Sequence, residues 1–390
     1  MQVLKNVFVT FLVTFVFVQL PISDSYSVHA DELTFVRNGE TLTLTGEILA
    51  EAEDGGILFQ TRSGRLQIVQ GDEVTEKIDN DEPFDPLTQK EIGAKLLKEL
   101  PEDFRIHKTK HFVIAYNTER AYARWVGGLY ERLFKGFIGH WKKKRNYELN
   151  SNPKYPLVAI IFKSHAEYAR YAESETGQGP GSAVAYYNLL TNRVVMHDLT
   201  TGLLPPNQRP QQDRNINQIL AAPNSLDMVA TVVHEATHQL MFNTGMQTRM
   251  SDTPLWVNEG MAMFFETPDL NNSSGWRAIG QVSPPRLAQF RKEIPQRPAD
   301  AFKSMLSVDT RLQDPETAAS AYAEAWCFNY FLLQRHSEEY VEYLKFMSQK
   351  KPLVYDTPED RLNDFKQFMG DDLDALEQEF LEYIENVRAN

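Results

Sequence analysis

Residues 31–80 consist of short runs rich in Val, Ile, Leu and Thr, separated by turn-forming residues. Asn38-Gly39, Asp54-Gly55-Gly56 and Ser63-Gly64 stand between successive runs. Short β-favouring runs with such sequences between them are typical of strands joined by tight turns. The pattern predicts five strands in a small all-β module, a barrel or meander of SH3-like size.

The remainder of the chain predicts a second, larger domain. Residues 81–100 predict an acidic, proline-containing linker followed by a lead-in helix, and the domain itself spans residues 101–390. In its first half, strand-like apolar runs alternate with helical patterns, and residues 183–187 and 193–196 predict a hairpin. From residue 226 onward nearly every segment has helical periodicity. Strands that precede a run of helices indicate an α+β fold.

Residues 1–30 have the three parts of a secretory signal peptide. Lys5 precedes a nearly unbroken apolar run at 7–20, and Val28-His29-Ala30 offers small residues of the kind that a signal peptidase recognises. The alternative is a membrane anchor, but a helix over this run would span only about 21 Å of a hydrocarbon core of about 30 Å. We expect cleavage after Ala30, no membrane-spanning segment in the mature protein, and a secreted, periplasmic or cell-envelope location.

The charge balance narrows the classes of partner. The 390 residues include 40 Lys and Arg against 53 Asp and Glu, which gives a formal net charge of −13. Binding to nucleic acid or to an anionic membrane depends on clustered positive charge. The single cysteine, Cys327, permits neither an intramolecular disulfide nor a cysteine-based metal cage. We therefore expect neither a nucleic-acid partner nor a cysteine-based metal site.

Residues 223–245 predict a helix that carries two histidines on one face. His234 and His238 are four residues apart, so both imidazoles can reach one cation at about 2.0–2.1 Å. Glu235 is offset by about 100° and would act as a general base for a water molecule instead of as a ligand. The alternative is two surface histidines beside an incidental glutamate. The apolar stripe of this helix opposes it, because buried histidines need partners.

A third ligand is predicted on the next helix. Between residues 255 and 265 every residue is apolar or small except Asn258 and Glu259. A carboxylate in such a helix is costly unless it is paired or bound to a metal, and catalytic zinc takes three protein ligands. We therefore predict Glu259 as the third ligand. Glu266 is the competitor, but its place near the helix end predicts solvent exposure.

Two segments, HEATH (234–238) and WVNEGMA (256–262), together resemble the gluzincin branch of the zincin metallopeptidases. More narrowly, residues 100–340 resemble bacterial peptidase-MA-like secreted proteins, including the family DUF1570. The resemblance implies a zincin-like fold with an active-site helix beneath a small mixed sheet, one Zn²⁺ per chain, and a peptide or protein substrate. Two features of related enzymes are missing. Met263 replaces the acidic residue four positions after the glutamate ligand, and there is no Gly-x-Met-Glu-Asn strand to bind a substrate amine.

Tyrosines supply the remaining candidate residues. The predicted helix at 321–333 carries Tyr322, Trp326 and Tyr330, which would form a core-packing stripe. Alternatively, Tyr322 would donate to the oxyanion of the scissile carbonyl, as tyrosines do in similar gluzincins. The strand at 183–187 would pair with an extended peptide substrate, with Tyr186 or Tyr187 lining the cleft.

Together these features predict an exported zinc-dependent peptidase in which His234, His238 and Glu259 hold the metal. The alternative from another class is a zincin-fold binding or scaffold protein that retains the metal but has little or no turnover. Glu235 favours the enzyme, since a protein without turnover does not need the base, whereas Met263 favours the alternative.

Overall fold

The computed structural model describes residues 29–201, 216, 219–220, 223–266 and 279–388. It contains an antiparallel sheet at the N-terminus, a second sheet, and a C-terminal half made of helices, which confirms the predicted α+β class. The predicted signal peptide lies outside the described residues except for His29 and Ala30, which begin the first strand.

The first sheet has the five predicted strands, all antiparallel, in the order β4-β3-β2-β1-β5: β1 (His29–Arg37), β2 (Glu40–Glu51), β3 (Ile57–Thr61), β4 (Leu66–Val69) and β5 (Val74–Pro83). Asn38 and Gly39, between β1 and β2, have φ angles of 54° and 79°, the left-handed conformations that a two-residue hairpin turn requires. Because β5 runs to Pro83, the first residues of the predicted linker belong to the sheet.

The second sheet has the order β6-β7-β8-β10-β9 and alternates with three helices: α1 (Gln89–Glu99), β6 (Arg105–Lys108), β7 (Phe112–Tyr116), α2 (Arg120–Lys144), β8 (Leu157–Phe162), α3 (His165–Thr176), β9 (Ala185–Asn188) and β10 (Arg193–His197). The three central strands are parallel, and both outer strands are antiparallel to their neighbours. The predicted hairpin is confirmed as β9 and β10, and β9 forms one edge of the sheet.

The helical half follows the second sheet along the chain: α4 (Pro223–Asn243), α5 (Leu255–Phe265), α6 (Pro284–Glu293), α7 (Ala301–Ser307), α8 (Thr310–Gln313), α9 (Ala318–Arg335), α10 (Ser337–Ser348), α11 (Pro358–Met369) and α12 (Leu373–Asn386). In the part of the chain that the structure describes, none of these helices combines the length and the apolar character needed to cross a membrane.

The second sheet separates two apolar cores, because successive side chains of a strand point to opposite faces. In β10, Val194 and Met196 pack into the large core with α2, α4 and the helical half. Val195, between them, packs into the smaller core beneath α1 and α3. The side of the sheet on which a residue lies therefore decides whether it can reach α4.

Candidate metal centre

Helix α4 brings its two histidines into the large core. Val229, Val233 and Leu240 are fully buried on the same helix, and burial of such an apolar stripe stabilises a helix against its neighbours. His234 and His238 are only 6% and 7% exposed, and their ring centroids are 4.6 Å apart. The alternative of two surface histidines is therefore wrong.

Helix α5 places Glu259 opposite these histidines because α5 packs unusually closely against α9. A Cβ atom at Gly260 would lie 1.9 Å from Nδ2 of Asn329, so only glycine fits there. Nδ2 of Asn329 donates to the backbone carbonyl of Trp256 at 2.9 Å, which further fixes α5 against α9. Glu259, next to Gly260, is 2% exposed.

Three potential ligand atoms converge between α4 and α5. Nε2 of His234 lies 3.0 Å from Nε2 of His238 and 3.1 Å from Oε2 of Glu259. Nε2 of His238 lies 3.4 Å from Oε1 of Glu259. Tetrahedral ligands at about 2.0–2.1 Å from a zinc ion lie roughly 3.3 Å from one another. The buried group of His234, His238 and Glu259 can therefore hold one metal ion.

The second nitrogen of each ring fixes its tautomer. Nδ1 of His234 lies 2.8 Å from Oε1 of Glu266, and Nδ1 of His238 lies 3.1 Å from Oδ1 of Asn258. Because both partners are oxygen acceptors, both Nδ1 atoms carry the proton, and both Nε2 atoms present lone pairs. Two lone pairs and a carboxylate then face one another in a buried space, an arrangement that a cation stabilises.

The pKa values agree with this need for a cation. Burial alone would lower the pKa of His234, but Glu259 and Glu266 raise it to about 10. Burial lowers the pKa of His238 to about 4, against the opposing charge of Glu259. Without a metal, therefore, a proton on His234 would neutralise the group, and a bound metal ion would displace that proton.

Glu266 contacts the ring of His234 and is itself held by Arg286, two contacts that the sequence analysis missed. Arg286 donates from Nη2 to both carboxylate oxygens of Glu266, at 2.9 and 2.6 Å. Burial alone would raise the pKa of Glu266, but Arg286 and His234 lower it to about 2. The predicted exposure of Glu266 is wrong, since only 16% of its side chain is accessible. His234 therefore has an acidic partner in Glu266, three residues after Met263.

Glu235 lies beside the three ligand atoms without joining them. Its Oε2 accepts a hydrogen bond of 2.7 Å from the backbone N–H of Tyr187 on the edge strand β9. Burial raises the pKa of Glu235 to about 7, although the charge of His234 opposes the shift. This hydrogen bond connects Glu235 on α4 to the sheet edge, and it involves only one of the two carboxylate oxygens.

Tyr322, on α9, lies near enough to Glu259 and Glu235 for their charges to act on its phenol. Its side chain is 8% exposed. Burial raises the pKa of this phenol, and the charges of Glu259 and Glu235 raise it further. The ring of Tyr322 packs in the large core while the hydroxyl faces the candidate ligands. The two interpretations of this tyrosine, core packing and a place at the site, are therefore compatible.

The two tyrosines of β9 lie on different faces, so the prediction for Tyr186 needs correction. Tyr186 points into the small core, and its hydroxyl donates to Glu175 at 2.8 Å, which places it away from α4. Tyr187 is on the correct face, but its ring stacks on Phe242 and its hydroxyl donates to Asn192. The backbone N–H of Tyr187, not its phenol, contacts the site.

The fold and the site define a buried two-histidine, one-glutamate group with a neighbouring carboxylate, Glu235, that accepts from the sheet edge. Residues 228–354 match the family model described as a protein of unknown function, DUF1570. This match confirms the part of the predicted resemblance that concerns DUF1570, and it covers His234, His238, Glu259 and Tyr322. No curated protein matches the chain.

Proposed function

We propose that the protein is a zinc-dependent peptidase that hydrolyses peptide bonds outside the cytoplasm. The observation that carries the proposal is the convergence of three ligand atoms beside a further buried carboxylate, Glu235, that is not among them. A site that only stored a metal would not require that additional buried carboxylate. Glu235 and the ligand atoms together match the division between general base and ligands in zinc peptidases.

His234, His238 and Glu259 would hold one Zn²⁺ per chain, since two imidazoles and one carboxylate are a common protein ligand set of catalytic zinc. Bound zinc supplies Lewis-acid polarisation of a water molecule and of a carbonyl oxygen. Glu266 and Asn258 would keep the histidine rings oriented, because each accepts from an Nδ1 atom.

Glu235 would take a proton from the attacking water and later return one to the leaving amine. The N–H of Tyr187 holds one of its carboxylate oxygens at 2.7 Å, which limits the rotation of the carboxylate. Tyr322 would donate its phenolic hydrogen to the carbonyl oxygen as negative charge develops there. Glu235 is on α4 and Tyr322 is on α9.

The edge strand β9 would bind an extended peptide substrate by strand addition. It is the outer strand next to α4, and it is antiparallel to β10. An active-site helix beside a mixed sheet with an antiparallel edge strand is also the arrangement expected of a zincin-like fold, which we include in the proposal.

The alternative is a zincin-fold binding or scaffold protein that keeps the metal without turnover. The sequence feature that favoured it was Met263 in place of an acidic partner. Glu266 would serve as the acidic partner of His234. The methionine at position 263 therefore no longer favours the binding protein over the enzyme. Glu235 is buried beside the candidate ligands without being one of them, which favours the enzyme.

Export is part of the proposal and rests on the pattern of residues 1–30. Expression of the full chain with its own N-terminus, followed by N-terminal sequencing of the extracellular or periplasmic fraction, tests it. We expect the mature chain to begin at Asp31.

The test of function combines metal content with cleavage of a mixed peptide library by the purified protein and by Glu235→Gln. We expect about one zinc per chain in both. Cleavage by the variant should fall by about 10²–10⁴-fold, the usual contribution of general acid–base catalysis. A zinc-loaded variant with full activity would exclude the role of Glu235. A zinc-loaded wild type that cleaves no peptide would favour the binding protein.

A further inference from the structure

A small cavity lies where the first sheet meets the larger domain, away from the candidate metal centre. Ser63 and Arg65 line it from the turn before β4, Lys95 from α1, Thr191 from the β9–β10 turn, and Arg193 from the start of β10. The cavity has room for about one group of the size of a water molecule. Three separate parts of the fold therefore meet around one small space.

The side chains around this cavity carry an excess of positive charge. Arg65, Lys95 and Arg193 line it, and one carboxylate, Glu99, contacts two of them. Arg193 pairs with Glu99 at 2.7 Å and Arg65 pairs with it at 3.5 Å. The phenol of Tyr171 accepts from Arg193 at 3.4 Å and donates to Glu175 at 3.3 Å, so it lies between this guanidinium and the carboxylate of Glu175. Three cations thus share one directly paired anion.

The cations also repel one another. Burial lowers the pKa of Lys95, and although Glu99 opposes this shift, the charges of Arg65 and Arg193 lower the pKa further. Like charges brought together in a partly buried space destabilise a fold unless an anion lies between them.

Two polar groups at the cavity lack partners within the described part of the chain. Oγ1 of Thr191 and Nε of Arg65 are buried without a hydrogen bond, and Thr191 is only 8% exposed. A buried hydroxyl and a buried guanidinium N–H are both donors, and leaving them unpaired costs free energy. Both residues line the cavity, so an anion in it would bring an acceptor next to two residues that have an unpaired donor.

We propose that this cavity is a binding site for a small inorganic anion, namely chloride. The anion balances Arg65, Lys95 and Arg193 and accepts from Thr191. It joins the first sheet to α1 and to the β9–β10 turn, three segments that otherwise present like charges to one another. Larger anions such as sulfate or phosphate exceed the space. The proposal is independent of the metal centre and of any peptidase activity.

Thermal unfolding in sodium chloride and in sodium gluconate at equal ionic strength tests the proposal, because gluconate is too large for the cavity. Chloride should raise the melting temperature of the wild type by a few degrees at about tenfold excess over its dissociation constant, and the increment should then grow with the logarithm of the chloride concentration. Thr191→Val and Lys95→Met should lose most of this increment. Lys98→Met, an exposed lysine on the same helix, should keep it.

Lys95→Met also separates anion binding from simple loss of stability. In gluconate this variant should melt at or above the wild type, since it removes repulsion between cations while keeping the length of the side chain. A crystal soaked in bromide should give an anomalous peak in the cavity. Equal melting of the wild type in both salts, an increment retained by both variants, or an ordered water without anomalous signal would overturn the proposal.

Discussion

Nδ1 of His234 lies 2.8 Å from Oε1 of Glu266, a carboxylate seven residues after Glu259. Glu266 stands just past the end of α5 and is held there by Arg286. A carboxylate on the second nitrogen of a histidine fixes the tautomer and the direction of the lone pair that meets a metal. The geometry therefore assigns different roles to Glu259 and Glu266, and measurements of zinc affinity can distinguish them.

Glu259→Gln should lose most zinc affinity, because glutamine keeps the shape but removes the anionic ligand. Glu266→Gln should weaken zinc binding by only about 10–100-fold, the usual effect of losing an outer partner. Competition with a chromophoric chelator measures both. Glu235→Gln is the matched control, since its carboxylate lies beside the ligand atoms without joining them, and its affinity should equal that of the wild type. Wild-type affinity in Glu259→Gln would show that the wrong carboxylate was chosen.

The ligands could be predicted from the sequence because their geometry is local. His234 and His238 share a helix face through spacing alone, and Glu259 stands out in an apolar helix. Arg286 could not be found this way, since its contact with Glu266 depends on how α6 packs in the folded chain. The sequence leaves the choice between Tyr186 and Tyr187 open for a related reason. Alternation predicts opposite faces, but only the packed sheet determines which face meets α4.

Tyr322→Phe should lower kcat by about 10²–10³-fold, equivalent to about 2.7–4 kcal/mol, with a smaller change in KM. The phenol would bond an oxygen that becomes negative only in the transition state. Steady-state kinetics with a cleaved library peptide, together with zinc content, measures the effect. If the hydroxyl serves only core packing, stability should change by about 1 kcal/mol while kcat stays near the wild-type value.

Tyr330→Phe is the matched control for Tyr322→Phe. Tyr330 is on the same helix and stacks on Trp326 with a centroid distance of 5.3 Å, but it is partly exposed and outside the candidate site. We expect wild-type kcat, KM and zinc content for this variant. A similar loss of kcat in both variants would indicate a general disturbance of α9.

Arg249→Met should destabilise the junction between the two sheets. Arg249 donates at 2.8 Å to the carbonyl of Gly64, before β4, and at 2.9 Å to the carbonyl of Leu189, after β9. Leaving buried carbonyls without a donor costs about 1–3 kcal/mol each. Urea unfolding should show this loss, and hydrogen exchange should rise at the N–H of Leu66, which donates to Leu190 at 2.7 Å.

Arg62→Met is the control for the junction. Arg62 also donates to a backbone carbonyl, that of Asp85, but this contact is exposed. Its loss should change the free energy of unfolding by less than about 1 kcal/mol. Equal effects of the two substitutions would mean that Arg249 does not hold the sheets together.

His140 predicts a pH dependence of stability that is separate from the metal centre. It is 5% exposed among Trp141, Phe264 and Phe265, and burial, with the charge of Arg145, lowers its pKa to about 3. The unfolded chain takes up this proton near pH 6.5 and the folded chain does not, so stability falls as the pH drops below 6.5. Between pH 6.5 and 4.5 the free energy of unfolding of the metal-free wild type should fall by about 2–3 kcal/mol more than that of His140→Leu. Urea unfolding at the two pH values measures this change, and an equal change in the wild type and in His140→Leu would mean that His140 is protonated in the folded protein.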